Sequence, residues 1–207
     1  MDQLLVLVDE SDQETGYGEK LHVHQNALLH RAFSIFVFDW DKEEMLLQRR
    51  ASGKYHSGGL WSNACCSHPR KGETMAHALN NRLKAELGLE TDVKIQSPPD
   101  GGCFMPEKET IYRCGAFHYF ASFGGLSENE LDHVFLYGIW RETGSDKAFF
   151  HPELPFNPEE IEELKWISIC ELKKWLSESP VDFTAWFRPA FELAYSVLSR
   201  QTIPDRR

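Results

Sequence analysis

The sequence predicts a mixed α/β (α+β) sandwich, with mixed β-sheets flanked by helices in a single compact domain. Three observations point there. An aromatic and β-branched run is followed by a turn and a short apolar partner, as in a hairpin. One helical period lies early in the chain between a capping residue and a glycine. Further strands come next, and the remaining helical segments gather at the C-terminal end. The 207 residues suffice for a core without disulfides or metal staples, since a chain of this size buries roughly 70% of its unfolded surface. No repeat or composition shift divides it. The expectation is one domain over residues 1–207, with a core at about 30–170, an N-terminal strand segment and C-terminal helices.

Leu4 to Val8 is a short apolar run that ends in the turn-like Asp9-Glu10-Ser11-Asp12, and reads as a strand. Phe33 to Phe38 (FSIFVF) reads as another. Asp39-Trp40-Asp41-Lys42 follows as a turn, and Met45 to Gln48 as the hairpin partner. From Thr74 to Leu87 the period is helical, with Met75, Leu79, Leu83 and Leu87 every four residues and Ala78 beside them. Thr74 suits the N-cap and Gly88 the left-handed terminator. Pro98 to Pro106 is a Pro- and Gly-rich loop. Strands are expected at about Tyr112 to Ala121, Asn129 to Trp140 and Leu164 to Ile169. Helices are expected near Ile169 to Leu176 and Phe183 to Leu198.

The net charge of −10, from 22 basic and 32 acidic residues, argues against nucleic acid or an anionic membrane surface as partner. No run of about 18 apolar residues is present to cross a membrane. The N-terminus has no basic flank and does not read as a signal peptide. Five cysteines, two of them adjacent (Cys65 and Cys66), fit a reduced, cytoplasmic protein better than a disulfide scaffold.

Four groups of residues could carry chemistry. His22, His24 and His30 cluster, and His68 sits in Cys65-Cys66-Ser67-His68-Pro69. Glu128 and Glu130 are two apart, so a strand would turn both carboxylates to one face. Imidazoles with carboxylates suit Zn²⁺, Mn²⁺ or Fe²⁺, although the spacing equally fits scattered histidines and a solvated acidic turn. Lys20, Arg49-Arg50, Lys54 and Arg82 are the cations that could hold a phosphate, with Ser57-Gly58-Gly59 nearby to let backbone approach an anion. The other reading is surface charge after a strand. Arg82 and Glu86, four apart on the helix, either pair with each other or divide between a phosphate and a Mg²⁺ ion. Cys66 is either a buried small side chain or a reactive thiol. Cys65 faces the opposite way on a strand, so only one of the two can enter a site.

The stretch from Gly72 to Leu89 resembles a degraded Nudix box, in which Glu73, Leu83, Glu86 and Gly88-Leu89 match. Ser67 stands where the first Gly belongs, Asn81-Arg82 replaces Arg-Glu, and Ala85 replaces the first paired Glu. These losses argue against pyrophosphate hydrolysis. Leu29-His30-Arg31-Ala32-Phe33-Ser34, Gln48-Arg49-Arg50-Ala51, the block Leu60 to Pro69 (LWSNACCSHP), Gly72-Glu73, Glu86-Leu87-Gly88 and Glu128-Asn129-Glu130 together resemble the type I isopentenyl-diphosphate isomerases, in order and spacing from about Leu5 to Ser199. That resemblance implies a Nudix-like core and the interconversion of isopentenyl and dimethylallyl diphosphate. It aligns Cys66 and Glu130 with a catalytic pair on opposite sides of the substrate. His24, His30, His68, Glu128 and Glu130 align with the ligands of one tightly bound divalent metal (Mn²⁺, Zn²⁺ or Mg²⁺). Glu86 aligns with a ligand of a second ion, Mg²⁺, on the diphosphate. Lys20, Arg50, Lys54 and Arg82 fall at diphosphate contacts. Tyr119 aligns with a tyrosine near the reacting carbons, with Tyr112 and Tyr137 as alternatives, and Trp186 with an aromatic that covers them. The implied partner is a small diphosphate, and the implied assembly a monomer or weak homodimer. Ser57-Gly58-Gly59 departs from the Pro-Gly that the family often carries before its Trp block.

Overall fold

The computed structural model describes residues 4–104, 106–139 and 154–200. In chain order the elements are β1 (Leu4–Val8), β2 (Glu14–Glu19), α1 (Lys20–Gln25), β3 (His30–Asp39), β4 (Glu44–Arg50), β5 (Trp61–Asn63), β6 (Cys65–Ser67), α2 (Met75–Leu87), β7 (Lys94–Gln96), β8 (Thr110–Phe123), β9 (Leu126–Ile139), β10 (Ile161–Ser168), α3 (Ile169–Glu178) and α4 (Phe187–Leu198).

One mixed, curled sheet joins all ten strands. Its spine runs β10-β4-β3-β9-β8-β7, with β1, β5 and β6 branching from it and β2 carried on β1. The β3–β9 and β7–β8 pairs are parallel, and the other pairs are antiparallel. Strand β3 explains why FSIFVF is apolar on consecutive positions. Phe36 and Phe38 pack toward the α4 side with Phe187 and Phe191. Phe33, Ile35 and Val37 pack toward α2 with Leu79, Leu83 and Leu87. A strand covered on both faces loses its alternation.

The hairpin β3–β4 forms as expected, with Val37 opposite Leu46 and Phe38 opposite Met45. The Asp39 carboxylate accepts the backbone N–H groups of Asp41 and Lys42 and so shapes the turn. In α2 the Thr74 hydroxyl accepts the His77 N–H, and Gly88 ends the helix at φ +63°. A Cβ on Gly88 would lie 2.5 Å from Pro155 Cγ. Gly88→Ala is therefore expected to destabilise the protein by about 1–2 kcal/mol, from left-handed strain alone, before Pro155 has to shift. Urea unfolding of both proteins measures this.

Four short elements lie outside the sequence expectations: the three-residue strands β5 and β7, and β2 and α1, which have no apolar period. Strand β2 (ETGYGE) exists by pairing with β1, and α1 (KLHVHQ) by seating Val23 and His24 in the interior. One expected helix is corrected. The segment beginning at Phe183 is not helical until Phe187. Phe183 bridges Trp61, and the Thr184 N–H bonds to the Trp61 carbonyl, which holds residues 183–186 against β5. The expected strand end at Trp140 lies outside the described residues.

Candidate active site

A cavity of about 230 Å³ opens beside β3, between β6 on one flank and β9 on the other. It is lined by Cys66, Glu130, Tyr119, Trp186, Lys20, Arg50, Lys54, Arg82, His68, Glu86 and Glu128, which are eleven of the thirteen expected residues. The other two, His24 and His30, stand behind its wall, grouped with His68 and Glu130.

Strand parity sorts the neighbours. On β6, Cys65 is buried against α2 with its thiol toward the Arg82 carbonyl, while Cys66 enters the cavity. On β4, Arg49 turns outward to Glu162 and Glu163, and Arg50 turns inward. On β9, Glu128, Glu130 and Asp132 share the cavity face, and Asn129 points away to bond the Ala27 carbonyl. His22 is exposed and outside the site. Of the three tyrosines, Tyr112 and Tyr137 pack in the core, whereas Tyr119, paired with Glu130 across β8–β9, enters the cavity. Its hydroxyl is 2.7 Å from Glu130 Oε2 and 3.0 Å from Glu128 Oε2.

The ligand atoms of His24, His30, His68 and Glu130 all lie within 4.8 Å of one another. The Nδ1–H groups of His24 and His30 donate to the Lys20 and Leu28 carbonyls at 2.7 and 2.8 Å. Both Nε2 atoms are buried, and among the described residues neither has a hydrogen-bond partner, although His30 Nε2 approaches Glu130 Oε1 to 3.4 Å. This is the arrangement in which an outer hydrogen bond fixes the tautomer and aims the free nitrogen at an ion. Burial pushes His24 down to about 4 and His68 down to about 3, so both imidazoles are neutral; the His24 Nε2 lone pair is free, while His68 Nε2 meets Glu130 Oε1 at 2.8 Å. Burial works against the charge on Glu130, but His68 and His30 beside it hold its carboxyl well below the usual range. Three imidazoles grouped with a carboxylate fit a divalent cation. Glu128 lies beside this group, linked to it through the Tyr119 hydroxyl.

Glu86 is buried on the other wall, where desolvation pushes it up to about 7 despite Arg82 at 3.7 Å. A buried carboxylate so poorly compensated suits a cation. Lys54 pairs with Glu160 at the mouth, and Lys20 sits over the Tyr55 ring at 5.3 Å. Arg50 Nη1 donates to Cys66 Sγ at 3.5 Å, and its guanidinium lies 5.2 Å from the centre of the Trp186 ring. Burial pushes the Cys66 thiol up to about 12, against the pull of Arg50. The Trp186 indole N–H donates to Asn63 Oδ1 at 3.1 Å. The block LWSNACCSHP thus supplies the thiol, an imidazole and the hook that holds Trp186.

Sequence reasoning missed His56, Asp132 and Glu160 on the lining. His56 pairs with Glu128 at 2.8 Å, and the Ser34 hydroxyl donates to Asp132 at 2.7 Å. Alternation along Glu128-Asn129-Glu130-Leu131-Asp132 could have found Asp132. His56 carried no such signal. Glu73, the matching acid of the degraded box, is taken up by the Arg70 N–H and the Asn81 amide and does not line the cavity.

The NUDIX domain family matches residues 28–187. Among solved structures, one from Deinococcus radiodurans superposes with a TM-score of 0.62 at 16% identity, covering 94% of this chain and 99% of that one. The MutT protein of Methanosarcina mazei does so with a TM-score of 0.54 at 17% identity, covering 81% and 94%. These two share the fold. Among curated relatives, Isopentenyl-diphosphate Delta-isomerase 2 of Aromatoleum aromaticum is 38% identical over 200 residues, or 96% of this chain and 90% of that protein. The protein of the same name from Photorhabdus laumondii is 38% identical over 91% of this chain and 90% of its own length. With a NUDIX fold and this likeness over nearly its whole length, the chain belongs to the isopentenyl-diphosphate Delta-isomerase family.

Proposed function

We propose that the protein interconverts isopentenyl and dimethylallyl diphosphate for isoprenoid biosynthesis, by proton addition and removal at the two ends of an allylic unit. The observation that carries the reading is the convergence of Cys66 and Glu130 on one small cavity, from strands on either flank of β3, with Lys20, Arg50, Lys54 and Arg82 around the same space. An alkene is a very weak base, and its protonation leaves a tertiary cation, so the reaction needs an acid on one face and a base on the other. Cys66 and Glu130 fill those posts. The reaction runs both ways, so each is the acid in one direction and the base in the other. The Tyr119 hydroxyl orients Glu130 next to the reacting carbons. Trp186 covers them, excludes water that would trap the cation, and offers its ring face to the charge.

The four cations hold the diphosphate, and Glu86 is the carboxylate that would hold a Mg²⁺ to offset its charge. His24, His30, His68 and Glu130, with Glu128 beside them, would hold one further divalent ion, Mn²⁺, Zn²⁺ or Mg²⁺. When bound, that ion fixes Glu130 and stabilises its anionic form. The deciding experiment is proton NMR of isopentenyl diphosphate with the protein and Mg²⁺ in D₂O. Dimethylallyl product carrying deuterium is the expected result. Unchanged substrate rejects the reading, as does phosphate release from a nucleotide panel in its place.

A further inference from the structure

We propose that His56 is a positioning residue that locks Glu128, and through it the metal-side wall of the site. This inference rests on the isomerase reading for its kinetic part, but not for its metal part. His56 lies on the loop after β4 and is only 7% exposed. Its Nε2 is 2.8 Å from Glu128 Oε1, and its Nδ1 is 3.2 Å from the Ser57 hydroxyl. A carboxylate only accepts, so Nε2 carries the hydrogen and Nδ1 accepts from Ser57. The ring stacks on Phe123 at 4.6 Å and 18°, and meets Trp186 edge-on at 6.2 Å.

Glu128 therefore has a neighbour at each oxygen, His56 at Oε1 and the Tyr119 hydroxyl at Oε2, and that one hydroxyl is shared with Glu130, which is nearer at 2.7 Å. His68 meets the other oxygen of Glu130 at 2.8 Å. His56 thus sits at the end of a continuous chain of contacts that runs to the His24, His30, His68 and Glu130 group. Carboxylates that bind metals depend on such outer partners for their orientation.

The loop behind His56 is tightly closed. A Cβ on Gly58 would stand 2.8 Å from the Ser52 carbonyl oxygen and 3.2 Å from that of Ala51. The loop closes this tightly only with glycine there, flanked by positive φ at Ser57 (+52°) and Gly59 (+78°).

Two substitutions separate donor from ring. His56→Phe keeps the stack on Phe123 and removes the N–H donor. His56→Gln keeps a donor at nearly the same reach and removes the ring. Each variant and the parent protein are loaded with Mn²⁺ or Zn²⁺, challenged with a chelator, and assayed for retained metal by mass spectrometry. Values of kcat and KM are then measured with isopentenyl diphosphate. His56→Phe is expected to lose about ten- to a hundredfold in metal retention and in kcat, with KM little changed, and His56→Gln to regain most of both. A His56→Phe protein that retains metal and turns over like the parent overturns the proposal. So does a His56→Gln protein as impaired as His56→Phe, because the ring and not the donor would then matter. Should His56→Phe fail to fold, His56→Gln alone decides, with near-parental metal retention required. If the parent protein makes no dimethylallyl diphosphate, the isomerase reading fails while the metal comparison still tests His56.

Discussion

Cys66→Ala is expected to lower kcat by about a thousandfold or more, while Cys65→Ala keeps most of the activity. The two thiols are neighbours in sequence but occupy different environments. Cys65 packs between the sheet and α2, and its loss removes one small buried group. That costs about 1 kcal/mol of stability and leaves the cavity unchanged. Cys66 lines the cavity, with Arg50 donating to its sulfur and the Trp186 ring beyond that guanidinium. Burial holds its thiol protonated at neutral pH, since the folded value is pushed up to about 12. It therefore carries a proton into the cavity that alanine cannot supply. Alanine there also leaves Arg50 without its sulfur partner. Product formation followed by NMR, with melting temperature as the folding control, tests the pair. Equal losses at the two positions would contradict the assignment.

Glu130→Gln is expected to remove both turnover and bound metal, with kcat falling about 10²- to 10⁴-fold. Glutamine keeps the shape and the contact with Tyr119 but cannot be an anion. In the parent protein His30 and His68 approach Oε1 at 3.4 and 2.8 Å, and the charge survives burial because they are there. A neutral amide gives a cation no charge among the three imidazoles, and it accepts no proton from an allylic carbon. Metal content and kcat should fall together. A variant that keeps its metal and loses only turnover would assign Glu130 to proton transfer alone. A variant that keeps turnover would remove it from the mechanism.

The acidic balance of the chain and its anionic substrate are compatible because charge is sorted locally. Glu86, Glu128, Glu130, Asp132 and Glu160 line the same cavity as Lys20, Arg50, Lys54, Arg82 and the histidines. Formal net charge cannot express that arrangement, since it weights a surface glutamate and a buried one equally.

Linear order carried much of this protein. The apolar double-faced run at Phe33 to Phe38, the capped period of α2 and the block LWSNACCSHP are local patterns with local causes: two covered faces, a hydroxyl cap with a left-handed glycine, and a strand whose parity separates Cys65 from Cys66. Those patterns sufficed for the fold class, and the family resemblance named eleven of the residues that line the cavity. They could not supply α1 and β2, whose sequences have no period and which exist because β1 and the interior hold them. Nor could they place Trp186 just before α4, because the non-helical segment there depends on backbone contacts of Phe183 and Thr184 with Trp61, more than a hundred residues away. The choice of Tyr119 over Tyr112 and Tyr137 came from register, through its pairing with Glu130 across two strands. His56 belongs to the same class. Its partner Glu128 is remote in sequence, and the folded loop after β4 brings imidazole and carboxylate to 2.8 Å. Patterns within a few residues follow from steric and hydrogen-bonding rules of the chain, whereas a contact between distant segments depends on how the whole sheet curls.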